Sequence, residues 1–145
     1  MIFINEDTMG IATVRWIGEK KFIGIDSTNH SVVLSTPDDG VGMKPSELLL
    51  VALATCTAVD VVEILSKKRI GLSGLEIQAS GEQDADPPWT FRKIHLKYIL
   101  KGKGLTEKSV EQAIQLSEEK YCSVSATVRG TAEITWNYEI LSEDA

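Results

Sequence analysis

The sequence predicts an α+β fold in the order βββ-α-ββ-α-β, with an antiparallel sheet around a long, buried central helix. Short alternating apolar runs, separated by turn residues, fill the first forty positions and two later stretches. One run beginning at Pro45 is apolar nearly all round for about 24 residues, roughly 36 Å at 1.5 Å per residue. No repeat and no low-complexity linker divides the 145 residues, so one domain spanning 1–145 is expected.

The elements follow from the residues in order. Residues 11–17 alternate, with Ala12, Val14 and Trp16 opposite Thr13 and Arg15. Lys21–Asp26 and Ser31–Ser35 are two further β-rich runs, which completes a small antiparallel meander. Thr36-Pro37-Asp38-Asp39-Gly40 is a dense turn signal. Pro45 suits a helix start, because its φ is pre-set and its missing amide hydrogen would find no partner there, and Glu47 complements the positive end of the dipole. Between 48 and 62 only Thr55, Thr57 and Asp60 are polar; the helix is expected to continue to Lys68 and to end at 71–74.

A membrane span wants about 20 residues with few or no charges, and Asp60 and Glu63 interrupt this one, so no membrane insertion is expected. A helix apolar on most sides must be covered on most sides. A chain of this size covers both flanks with difficulty, which implies a homodimer. Beyond the helix, 75–82 and the alternating Ile94, Leu96, Tyr98 and Leu100 form a half-exposed hairpin around a turn at 84–88. Thr106 is the expected N-cap of a second helix whose Val110, Ala113, Ile114 and Tyr121 share a stripe. Ala132, Ile134, Trp136, Tyr138 and Ile140 alternate with polar residues in a last strand.

Composition bounds the chemistry. Residues are 43% hydrophobic and 25% charged, as in ordinary soluble domains. A net charge of −6 and a pI near 4.9 provide no basic field, so nucleic acid is not an expected partner. The first seven residues lack a basic n-region and a small-residue cleavage site, so a cytoplasmic location is expected. In that compartment thiols stay reduced, and two cysteines point to catalysis, sensing or packing rather than a structural disulfide. Two thiols and two histidines without ligand spacing argue against a metal site. His30 reads as a loop residue and His95 as part of an exposed hairpin face.

At about 100° per residue, Asp60 and Glu63 fall within about 40° of Cys56 and draw a polar seam along an apolar rod. Taken alone, Cys56 is a small core hydrophobe. Cys122 is either a structural thiol or one whose thiolate is favoured beside a short helical turn capped by Ser123. Together, the flanking sequences favour a redox couple.

The segment from Pro45-Ser46-Glu47 to Cys56-Thr57-Ala58-Val59-Asp60-Val61-Val62, followed some sixty residues later by Tyr121-Cys122-Ser123-Val124-Ser125, resembles the OsmC/Ohr family of thiol-dependent hydroperoxide reductases. The similarity is closest to the OsmC-like branch and covers about Arg15 to Ile140. It implies an intertwined homodimer with two sites at the subunit boundary. It further implies Cys56 as attacking thiolate and Cys122 as resolving thiol, reducing organic (alkyl or lipid) hydroperoxides in oxidative-stress defence. No cofactor is implied beyond an external dithiol reductant. Leu49, Ala52, Leu53 and Val59 would line a greasy access route for a small apolar hydroperoxide.

Members of the family are expected to activate the thiolate with an arginine held by a glutamate. Here Ser46 follows the proline, and Glu47 falls about 180° from Cys56 on an ideal helix. Arg15 is the first candidate cation and Arg129 the second, with Asp60 able to orient either. The alternative is a non-catalytic dimeric module that binds an apolar ligand or responds to redox state.

Overall fold

Alternation in the first segment produces the meander. In a computed structural model that describes residues 10–143, β1 (Ala12–Gly18), β2 (Lys21–Asp26) and β3 (Ser31–Ser35) pair antiparallel in that order. The reading of the first seven residues falls outside the described range. The β2–β3 turn closes on the Asp26 carboxylate, which accepts the amides of Thr28 at 3.0 Å and His30 at 2.9 Å, while Asn29 takes the left-handed conformation at φ 64°. The chain divides into two compact units between Leu48 and Leu49, and the meander belongs to the first.

α1 (Pro45–Lys67) starts at the expected proline and carries Glu47 in its first turn and Lys67 in its last, each sign matched to its end of the dipole. It stops earlier than 71–74. Arg69 takes a left-handed φ of 59°, the amide of Ile70 reaches back to the Leu65 carbonyl at 3.0 Å, and Gly71 already opens β4. An arginine thus fills the terminating position where glycine is common. By length and composition α1 could cross a membrane, with a mean hydropathy of 2.2 over 18 residues. Within the chain one stripe is buried: Leu53, Thr57, Val61 and Leu65, spaced four apart. Val51, Val59 and Val62 are exposed, so the all-round burial expected of this helix is confined to that stripe in the isolated chain.

The second unit holds the main core. β4 (Gly71–Gln83) and β5 (Phe91–Lys103) form the expected hairpin, longer at both ends than the hydrophobic pattern alone suggests. β6 (Glu133–Leu141) joins the far side of β5, and this pairing is parallel rather than antiparallel. The cause is the connection: α2 (Glu107–Leu116), a π-helical turn (Ser117–Tyr121) and α3 (Ser123–Val128) form a helical crossover, which returns the chain to run alongside β5. Ile94, Leu96, Tyr98 and Leu100 of β5 are fully buried with the α1 stripe and with Val110, Ala113 and Ile114 of α2. Each such large side chain contributes roughly 1.5–3 kcal/mol of burial.

Thr106 caps α2 as expected, accepting from the Ser109 amide at 3.1 Å while its own amide donates to Ser109 Oγ at 3.1 Å. Tyr121, expected on the buried stripe, is instead exposed. The π turn explains this, because the Cys122 amide bonds to the Ser117 carbonyl five residues back, at 2.8 Å. The extra residue in the turn rotates Tyr121 outward and brings Cys122 into the core.

Candidate functional site

Both cysteines are free, and they come from elements far apart in sequence. Cys56 is half-buried at the middle of α1, packed against the core, and Cys122 is 2% exposed. The two lie close enough for Cys56 to raise the Cys122 thiol. Cys122 is itself the N-cap of α3, in place of the expected Ser123, and its Sγ accepts the Ser125 amide at 3.3 Å. That bond favours a thiolate, but burial outweighs it. Burial first, then the Cys56 thiol, pushes the Cys122 thiol up to about 12. At neutral pH Cys122 is therefore a protonated thiol.

A line of hydroxyls lies beside the pair. Tyr98 Oη sits 2.8 Å from Thr57 Oγ1, Thr57 Oγ1 2.9 Å from Ser117 Oγ, and Ser117 Oγ 2.8 Å from Asp60 Oδ2. One proton per hydroxyl satisfies the whole line when it runs from Tyr98 towards Asp60. The Tyr98 phenol is pushed up, mainly by burial and further by the negative charge of Glu118, Cys122 and Asp60, so it stays a donor. Three residues of this line, Thr57, Ser117 and Tyr98, are fully buried.

Glu118, next along the π turn, accepts from the Ser125 hydroxyl at 2.6 Å, and its backbone carbonyl accepts from Arg129 Nη1 at 3.1 Å. Burial is the first cause that raises its carboxyl above the ordinary range; Ser125 and Arg129 oppose it and Asp60 adds to it.

The structure brings together Cys56, Cys122, Asp60 and Arg129 of the residues read from sequence. The expected seam splits, since Asp60 turns to Ser117 while Glu63 pairs with Lys67 at 3.5 Å in solvent. Arg15 lies exposed on β1 opposite Ile23, and Glu47 pairs with Lys44 at 3.1 Å; both belong to the first unit. Leu53 is in the core and not on an access route, because it shares the buried stripe with Thr57, whereas Leu49 and Val59 remain exposed. Ser117, Glu118, Ser125 and Tyr98 were not singled out from sequence. Their contacts join residues up to sixty positions apart, and no local pattern in the sequence marks them.

The family model described as OsmC-like protein matches residues 36–137. Protein YhfA of Escherichia coli (strain K12) is 32% identical over 131 residues, covering 90% of this chain and 98% of its own length. Among solved structures, a hypothetical protein from Aquifex aeolicus VF5 is 32% identical with a TM-score of 0.79, over 92% of this chain and 98% of that one. The organic hydroperoxide resistance protein OhrB of Bacillus subtilis shares the fold at 17% identity and a TM-score of 0.62, over 90% and 98%. With the family model spanning most of its length and both thiols gathered in its second unit, the chain belongs to the OsmC-like protein family.

Proposed function

We propose that the protein reduces organic (alkyl or lipid) hydroperoxides to alcohols in oxidative-stress defence, with Cys56 attacking and Cys122 resolving. Membership of the family supports peroxide-related redox chemistry. The observation that carries the finer reading is the nearness of two free thiols of unequal exposure, close enough for Cys56 to raise the Cys122 thiol. The half-buried Cys56 is the one a substrate reaches, and the buried, protonated Cys122 is held back for the second step.

In the first step the Cys56 thiolate attacks the O–O bond, the bond breaks, and the departing alkoxide takes a proton to leave as alcohol. Cys56 is then a sulfenic acid. In the second step Cys122 sulfur bonds to Cys56 sulfur, and the sulfenic oxygen leaves as water, forming a Cys56–Cys122 disulfide before further oxidation occurs. An external dithiol restores both thiols by two exchanges and is itself oxidised to a disulfide; no resident cofactor takes part. The reading places this cycle in the cytoplasm, where such reductants are maintained.

Thiolate activation of a half-buried Cys56 requires positive charge nearby. The anchoring of Arg129 on Glu118 favours it for that role, with Asp60 held in place by Ser117. Arg15, the first candidate read from sequence, is the alternative assignment. The exposed Val51, Val59 and Val62 of α1 support a second copy of this chain, rather than a bilayer, as the cover for that helix.

Anaerobic turnover of cumene hydroperoxide with dithiothreitol tests the reading. Cys56→Ser is expected to abolish peroxide consumption, and Cys122→Ser to trap a sulfenic acid that dimedone labels. Wild-type turnover in both variants would remove it. The carboxylates around the pair favour one second reading, a redox-responsive protein whose thiols oxidise once without efficient turnover. It is distinguished by a single stoichiometric burst that excess dithiothreitol does not renew.

A further inference from the structure

The carboxyl of Glu118 has no task in the two-cysteine cycle, yet it is built into the site. One carboxyl oxygen, Oε2, accepts from Ser125; the other, Oε1, is shielded from solvent and has no hydrogen-bond partner among the described residues. A buried carboxyl oxygen left bare costs free energy and calls for an explanation. It offers a lone pair to a proton. Ser125 ties that carboxyl to the resolving thiol, because its hydroxyl holds Glu118 while its amide holds Cys122 Sγ. Glu118 and Ser125 border an opening of about 320 Å³, shared with Glu119, Arg129, Glu133 and Trp136.

Resting on the pairing of Cys56 and Cys122 proposed above, we propose that Glu118 is the proton acceptor for the resolving thiol. As Cys122 sulfur bonds to Cys56 sulfur, its proton passes through one intervening water to Glu118 while the S–O bond of the sulfenic acid breaks. The departing hydroxide then takes that proton as water, which regenerates the carboxylate. Cys122 is oxidised and Cys56 reduced by the same electron pair.

The need for an acceptor follows from the chemistry of the thiol. Burial raises the Cys122 thiol and keeps it protonated at neutral pH, which leaves too little thiolate for rapid attack without a base. The charged and titratable groups facing Glu118 are Cys122 and Arg129 at the two ends of α3, Asp60 from α1, Tyr98 from β5, and Glu119 and Glu133 at the shared opening. Burial and Asp60 raise the Glu118 carboxyl, which makes it a stronger base than a surface glutamate. Arg129 and Ser125 oppose that rise.

The experiment uses an aromatic disulfide in place of peroxide. Reduced protein is mixed with 5,5′-dithiobis(2-nitrobenzoate), which labels the accessible Cys56 and releases one thionitrobenzoate. Attack by Cys122 on the mixed disulfide then releases a second, with a proton lost and no hydroxide to remove. Glu118→Gln is expected to slow the second release by about a hundredfold, the usual effect of removing a general base, and to abolish the dependence of that step on the ionisation of Glu118 at acid pH. The first release should keep its rate, and Glu118→Asp should recover part of the second. Ser125→Ala, which frees the carboxyl but keeps the amide bond to sulfur, should slow the same step, which keeps the idea testable if Glu118→Gln does not fold by circular dichroism.

An unchanged or faster second release in Glu118→Gln would overturn the inference, because a purely electrostatic Glu118 would merely hold Cys122 protonated. Cumene hydroperoxide consumption by the wild type is followed in parallel. Slow second release in Glu118→Gln without any wild-type peroxide consumption would sustain the role of Glu118 and sink the peroxidase reading.

Discussion

Thr57 shows how one side chain ties packing to chemistry. It is the polar member of the buried α1 stripe, and its hydroxyl stands between Tyr98 and Ser117. Thr57→Val keeps the volume but leaves two buried hydroxyls short of a partner, and is expected to cost about 1–3 kcal/mol in urea denaturation. Cys122 makes a second prediction at this scale. Its folded-state pKa is raised from the ordinary 9.0 to about 12, so the fold favours the protonated thiol. The corresponding stability is fully present below about pH 9 and is lost as pH rises towards 12. Cys122→Ala should flatten that alkaline decline in thermal melts of the reduced protein, and an identical decline in both proteins would contradict it. The cysteines and Asp60 were legible in sequence because they sit within recognisable local patterns. Glu118 and Ser117 were not, since a glutamate after a serine on an amphipathic helix carries no sign of what it will meet on another element.

At the scale of elements, periodicity located nearly every strand and helix, and the surprises lie where geometry is set by connections. β5 and β6 each alternate cleanly, but alternation is the same for parallel and antiparallel partners. Only the helical crossover decides the direction. The π turn is likewise silent in the sequence, because a continuous α-helix predicts Tyr121 inside and the extra residue places Cys122 there. α1 ends on a left-handed Arg69, a conformation that strains any residue with a Cβ. Arg69→Gly is therefore expected to leave stability equal or raise it by up to about 1 kcal/mol, against the usual cost of glycine near a helix. On the stripe itself, Leu65→Ala opens a cavity in a fully buried site and should cost about 2–5 kcal/mol.

For the whole molecule, the composition of α1 carries information that one chain does not use. Its buried stripe is matched by exposed valines on other faces, an arrangement expected of a surface that another copy covers. Light scattering should give twice the mass of the chain at micromolar concentration, and a stable folded monomer there would contradict the dimer. The central claim concerns the two thiols and is tested most directly by mass spectrometry of the fully reduced protein after one equivalent of cumene hydroperoxide. The account predicts loss of the mass of two hydrogens and a single cross-linked peptide pair joining Cys56 to Cys122. Retention of both free thiols, or stable oxygen addition at Cys56 with Cys122 still reduced, would contradict it.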